Sequence, residues 1–129
     1  MRDIRIPEDH WLEFCESFTR EHRGWLTGMH LIDTRSAEAG DTPAHKPVEL
    51  FPGVCPLQEL REDHSNNLAE IMVTLGDGAD ETSYLIEDAI ALYSRMQGDA
   101  RQGVRIDSGN GTTTLIEISD PAKPSSPDN

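Results

Sequence analysis

The chain has 129 residues, enough for one domain that buries about two thirds of its unfolded surface without needing a disulfide or metal. Its 24 acidic and 11 basic side chains give a formal charge of −13, so direct nucleic-acid binding is not expected, because each phosphate contact needs a cation. No apolar run is long enough for a membrane span and no secretory leader is visible, so we expect a cytoplasmic protein without a membrane partner. Cys15 and Cys55 have neither metal-ligand nor redox spacing.

The first predicted element is an amphipathic helix that runs from Pro7 to Gly24. Its apolar residues recur at helical spacing and are Trp11, Phe14, Cys15 and Phe18. Pro7 suits the first helical position, and Gly24 can take the left-handed conformation that ends a helix. A helix of roughly four turns cannot hold three aromatic side chains in water, so the rest of the chain must cover them.

Strands are predicted for most of the remaining chain. The helix leads directly into a strand that opens with Trp25 and ends near Ile32, in which two faces alternate. Residues 1–6 are expected to pair as a short edge segment, and a long polar loop occupies Thr34–Pro47. Later strands are predicted at 56–63, 68–75, 104–107 and 112–118, with a turn at 98–103 and a tight hairpin turn at Ser108–Gly111.

Residues 81–97 fit two different patterns. Apolar residues spaced for one helix face are Leu85, Ile86, Ala89, Ile90, Tyr93 and Met96. The same segment also divides into two strands, Thr82–Glu87 and Ala89–Gln97. Periodicity alone favours the helix.

A helix followed by five to seven short strands indicates an α+β, mainly β domain over residues 1–118. We expect the helix to pack on a small, strongly bent antiparallel sheet, or on a barrel whose open end it caps. Residues 119–129 lack an apolar anchor and are expected to form a disordered tail. The predicted core contains Trp11, Phe14, Phe18, Trp25, Leu31, Ile71, Val73, Ile106, Leu115 and Ile116.

Several short motifs occur in a fixed order. They are Phe14–Phe18, Arg20–His22, Gly24–Leu26, Pro56–Leu57, Ile71–Val73 and Asn110–Leu115. In this order they resemble a family of small bacterial proteins catalogued only as a domain of unknown function. The resemblance implies a bacterial origin and favours two strands within 82–97, although the family has a proline between them and this chain has Asp88 and Ala89. Because that family has no established activity, the resemblance implies no catalytic residue.

Few polar residues occur in a pattern that is typical of a catalytic, ligand-binding or metal site. His22, in the last helical turn beside Trp25, could act as a ligand or general base, or it could cap the final carbonyls of the helix. His10 with Glu13, and His30 on the next strand, could bind a metal with Asp33 or Glu16 as oxygen ligands, but no recognised ligand spacing occurs. We therefore predict no catalytic residue, metal site or cofactor, and we predict His22, Trp25 and His30 as binding residues.

Three functions follow as hypotheses. The first is a non-enzymatic binding or assembly module that acts through contacts with a protein partner or between copies of the chain. The second is a small-ligand or metal-assisted catalytic barrel that uses His22 and His30. The third is an acidic mimic that binds a basic partner protein, suggested by the charge of −13. The lack of a catalytic constellation favours the first.

Overall fold

A computed structural model describes residues 2–35, 48–49, 55–65 and 68–120. A short 3-10 turn, Glu8–His10, leads into helix α1, Trp11–His22. The strands are β1 (Arg2–Arg5), β2 (Leu26–Asp33), β3 (Val48–Glu49), β4 (Cys55–Ser65), β5 (Leu68–Leu75), β6 (Thr82–Ile86), β7 (Ala89–Gln97), β8 (Ala100–Ser108) and β9 (Thr112–Ser119). Most of the predicted polar loop, at 36–47, and the tail at 121–129 lie outside the described residues. Within the described ranges, no helix has the length and apolarity needed to cross a membrane.

Eight antiparallel strands form one sheet in the order β1-β7-β8-β9-β2-β4-β5-β6, and β3 also pairs with β2. The prediction of a mainly β domain with an N-terminal helix on an antiparallel sheet is confirmed. The prediction of five to seven strands is wrong, because nine strands are described, among them the unpredicted Val48–Glu49. Arg2–Arg5 pairs with β7 as the edge segment expected at residues 1–6. The barrel alternative is wrong as well, since the described sheet stays open with β1 and β6 at its two ends.

The segment that fitted two patterns forms strands β6 and β7. Asp88 separates them with a φ of 52°, a left-handed conformation that cannot continue a right-handed helix. β7 pairs with β1 on one side and with β8 on the other, and both pairings supply backbone hydrogen bonds. The spacing of apolar residues along the sequence does not show these pairings. The two-strand interpretation is confirmed and the helix is wrong. The predicted turn at 98–103 is also shorter than expected, because β8 already begins at Ala100.

The hydrophobic core lies between α1 and the inner face of the sheet. Of the ten predicted core residues, Trp25, Leu31 and Leu115 are only half-buried and the other seven are buried. Leu115 is partly exposed because it lies opposite His30 on the outer face, the face turned away from the core. Fully buried large apolar residues that the prediction did not include are Met29, Leu57, Leu60, Leu75, Leu92 and Val104.

Candidate functional site

The corner between α1 and β2 brings His22 and Trp25 together. The His22 ring lies 4.5 Å from the Phe18 ring and 4.6 Å from the Trp25 ring, measured between centroids. Its Nδ1 is 3.0 Å from the carbonyl oxygen of Phe18, one helical turn earlier. Because a carbonyl oxygen only accepts, Nδ1 carries the proton and donates it. His22 therefore donates to the carbonyl oxygen of Phe18, four residues earlier in the helix, and not to one of the final carbonyls of the predicted cap.

Burial keeps the His22 ring neutral. The side chain is 6% exposed, and desolvation lowers its pKa below the ordinary 6.5, helped by the nearby charge of Arg101. The bond to Phe18 and the charge of Glu21 oppose this shift without cancelling it. A ring enclosed between two aromatic side chains stabilises the corner and offers little access to a substrate.

Acidification is expected to destabilise the fold through His22. Because its folded-state pKa is below the unfolded value of 6.5, the neutral ring contributes stability that is present above that pH and is lost as the pH falls. The melting temperature should therefore fall more steeply between about pH 7.5 and 5 in the wild type than in His22→Gln, as scanning calorimetry can measure. His10, whose side chain is 61% exposed, provides the control, and His10→Gln should keep the wild-type slope. Equal slopes for the wild type and His22→Gln would contradict this role.

His30 does not join the aromatic corner. It lies on β2 opposite Leu115, with its Nδ1 3.3 Å from a carboxylate oxygen of Glu117. That pair is partly exposed, so its contribution to stability is small. Across the described part of the chain, no three His, Cys, Asp or Glu side chains are grouped as a metal site would require. The structure therefore brings together two of the three predicted binding residues and places the third elsewhere.

A groove of about 430 Å³ runs between α1 and β4, with Cys15 and Leu60 among its lining residues. Burial, with smaller contributions from Glu62 and Glu16, raises the pKa of the Cys15 thiol to about 12. The thiolate, which is the reactive form, is therefore scarce at neutral pH. Cys15 serves as a core residue.

Alongside this groove, α1 covers the side of β4 that faces away from β5. The Thr19 hydroxyl accepts from the backbone N–H of Leu60 at 2.9 Å and lies 3.0 Å from its carbonyl oxygen. Arg23 donates from Nε to the carbonyl oxygen of Gln58 at 3.1 Å. These side chains replace the backbone partners that a neighbouring strand would supply. This part of the β4 edge is thus protected by the helix.

A cluster of charged residues anchors β1 to the sheet. Arg105 holds Asp107 through two bonds of 2.9 Å, and its Nη1 lies 3.2 Å from Asp3 on β1. The Arg105 guanidinium carbon is 4.4 Å from the centroid of the Tyr93 ring, and Thr113 donates to Asp107 at 2.8 Å. Desolvation alone would lower the pKa of Arg105, but its bonds to Asp107 and Asp3 raise it. The sequence analysis did not identify this cluster.

The cluster has no vacant position for a ligand. Arg105 and Asp107 are each 5% exposed, and the described residues contain no buried side-chain nitrogen or oxygen without a hydrogen-bond partner. Asp3 also accepts from Arg95 at 3.1 Å, so its carboxylate is shared between two strands. The cluster therefore stabilises the sheet, and it fixes β1 as a short edge strand in which three of four residues are charged.

Strand β6, at the opposite end of the sheet, is built differently. Its five residues, Thr82–Ile86, include neither a charged residue nor a proline. No other described strand pairs with its outer side. Leu85 is 44% exposed on the outer face, directly opposite Met72 of β5, which is half-buried. An uncharged strand at the end of a sheet is a template for pairing with another chain.

The sequence analysis did not recognise β6 as a candidate site. The available signal was an uncharged run bounded by Glu81 and Glu87, but the sequence does not show which strand ends the sheet. That position depends on the pairing of β5 with β4 and β6, which is fixed by the whole fold.

Comparison with protein family models, with curated proteins and with solved structures gives no match for this chain, so the family resemblance stays a prediction.

Proposed function

We propose that this protein is a binding module that acts through protein–protein contacts, with β6 as its contact strand. The observation that carries the proposal is the difference between β6 and the other edges of the sheet. β1 is charged along most of its length, and the side of β4 away from β5 is covered at Leu60 by Thr19 and at Gln58 by Arg23. β6 contains no charged residue, and no other described strand pairs with its outer side. A partner strand that adds to such an edge gains main-chain hydrogen bonds along its length.

The outer face beside β6 supports the same proposal. Leu85 and Met72 lie opposite each other there, next to Ser83 and Thr74, whose hydroxyl oxygens are 2.9 Å apart. The surface is therefore part apolar and part uncharged polar, as is common at protein interfaces. A partner strand would place alternate side chains against this surface, which gives pairing a source of specificity. The catalytic hypothesis has less support, since His22 is enclosed and His30 lies apart from it.

Site-specific crosslinking in the producing cells tests the proposal. A photo-reactive phenylalanine analogue in place of Ser83, which is exposed, is expected to give one crosslinked product of higher mass. The same analogue in place of Ile90, which is 56% exposed on β7, should give none.

The dependence on β6 is tested with two lysine substitutions. Leu85→Lys should abolish the crosslink, because a charge on an edge strand opposes pairing. Leu12→Lys changes a residue that is 54% exposed on α1, and it should leave the crosslink unchanged. A product that survives Leu85→Lys, or equal products from positions 83 and 90, would contradict β6 as the contact strand.

A further inference from the structure

Acidic residues lie at both ends of β6. Glu81 directly precedes the strand and Glu87 directly follows it, and both are exposed. Asp77 and Asp80, in the turn before Glu81, are exposed as well. An approaching strand would therefore meet an uncharged centre between two negatively charged ends.

This arrangement opposes pairing between two copies of the chain. If two β6 strands pair antiparallel over all five residues, Thr82 lies opposite Ile86, and Glu81 then lies opposite Glu87 twice. Like charges directly opposite each other on neighbouring strands are destabilising. Each copy also carries a net charge of −13, which adds long-range repulsion.

We propose that β6 binds an extended segment of a partner protein in which basic residues flank about five uncharged, β-forming residues. This inference rests on the proposed function and specifies its partner. In the antiparallel register centred on the middle of β6, the flanking cations lie opposite Glu81 and Glu87. The partner residues opposite Ser83 and Leu85 share the outer face with Met72, which favours apolar or small side chains there.

Two blocked peptides test the charge requirement, Lys-Thr-Val-Thr-Val-Thr-Lys and Glu-Thr-Val-Thr-Val-Thr-Glu. Fluorescence anisotropy with the full chain at low salt should show about tenfold tighter binding of the lysine peptide, and added salt should reduce the difference. The double variant Glu81→Lys, Glu87→Lys should reverse the preference. Glu13→Lys, Glu16→Lys makes the same charge change on exposed positions of α1 and should preserve it.

The outcomes separate this inference from the proposed function. Equal binding of the two peptides, or no binding of either, would overturn the partner chemistry, while the crosslink at Ser83 would still support a contact strand. A dimer of the chain in sedimentation that Leu85→Lys dissociates would also overturn it, because the occupant would then be a second copy. Reversal of the preference in the Glu81→Lys, Glu87→Lys variant, and not in the α1 variant, would support it.

Discussion

Asp107→Asn is expected to lower the free energy of unfolding by about 3 to 5 kcal/mol, because it breaks a buried ion pair and leaves Arg105 with an amide in place of a carboxylate. Both oxygens of Asp107 accept from Arg105 at 2.9 Å, and one also accepts from Thr113 at 2.8 Å. The asparagine would present an N–H₂ group to a guanidinium or a hydroxyl, so at least one of these bonds is lost. Urea denaturation followed by tryptophan fluorescence measures the change.

Two further variants test whether the unpaired buried charge causes the loss of stability in Asp107→Asn. Asp3 also binds Arg105, at 3.2 Å, but its side chain is 22% exposed, so Asp3→Asn should cost only about 1 kcal/mol. Replacing both partners, Arg105→Met with Asp107→Leu, should recover most of the stability lost in Asp107→Asn, because no unpaired charge stays buried. If Asp107→Asn unfolds at the wild-type urea concentration, the ion pair between Arg105 and Asp107 does not stabilise the sheet as described.

The N-terminal helix was predictable because its signals are local. Trp11, Phe14 and Phe18 recur at helical spacing, and all three are buried in the structure. The contact between His22 and Trp25 follows from the same short stretch of chain, since the two residues are separated by a single turn. β5 is likewise observed at Leu68–Leu75, as predicted from its strand pattern.

The division of 82–97 depends on distant partners. In β7 the consecutive residues Ala91 and Leu92 are both buried, so neither face shows a simple alternation. A bulge contributes to this, because Ile90 is an extra residue between the pairs Ala89–Ser108 and Ala91–Asp107, and it points into solvent. No local pattern contains that information.

The buried charges were missed for a similar reason. Arg105 and Asp107 alternate with Val104 and Ile106, which is the usual pattern of a strand with one solvated face. Arg105 also binds Asp3, 102 positions away in the chain, a contact that a local pattern does not show. The exposed edge of β6 also follows from strand order, so the strongest candidate site was not accessible to sequence reasoning.

Gly103→Ala is expected to destabilise the protein by at least about 3 kcal/mol, at the upper end of what overpacking usually costs. A Cβ atom at this position would lie 1.9 Å from the carbonyl oxygen of Ile116 on β9, well inside van der Waals contact. No rotamer relieves the clash, because both atoms are fixed by the backbone. The strands would have to separate where Gly103 pairs with Glu117 and Val104 pairs with Ile116.

A β-bulge lies next to Gly103 in the pairing of β7 with β8. Gln102 is an extra residue between the pairs Arg95–Gly103 and Met96–Arg101, and bulges increase strand twist. Gly98→Ala is the control in the same hairpin, since its Cβ would meet nothing within 4 Å and only its φ of +63° is unfavourable. That change should cost about 1 to 2 kcal/mol. If chemical denaturation shows Gly103→Ala to be no less stable than Gly98→Ala, β8 and β9 can separate at low cost and close packing does not require glycine here.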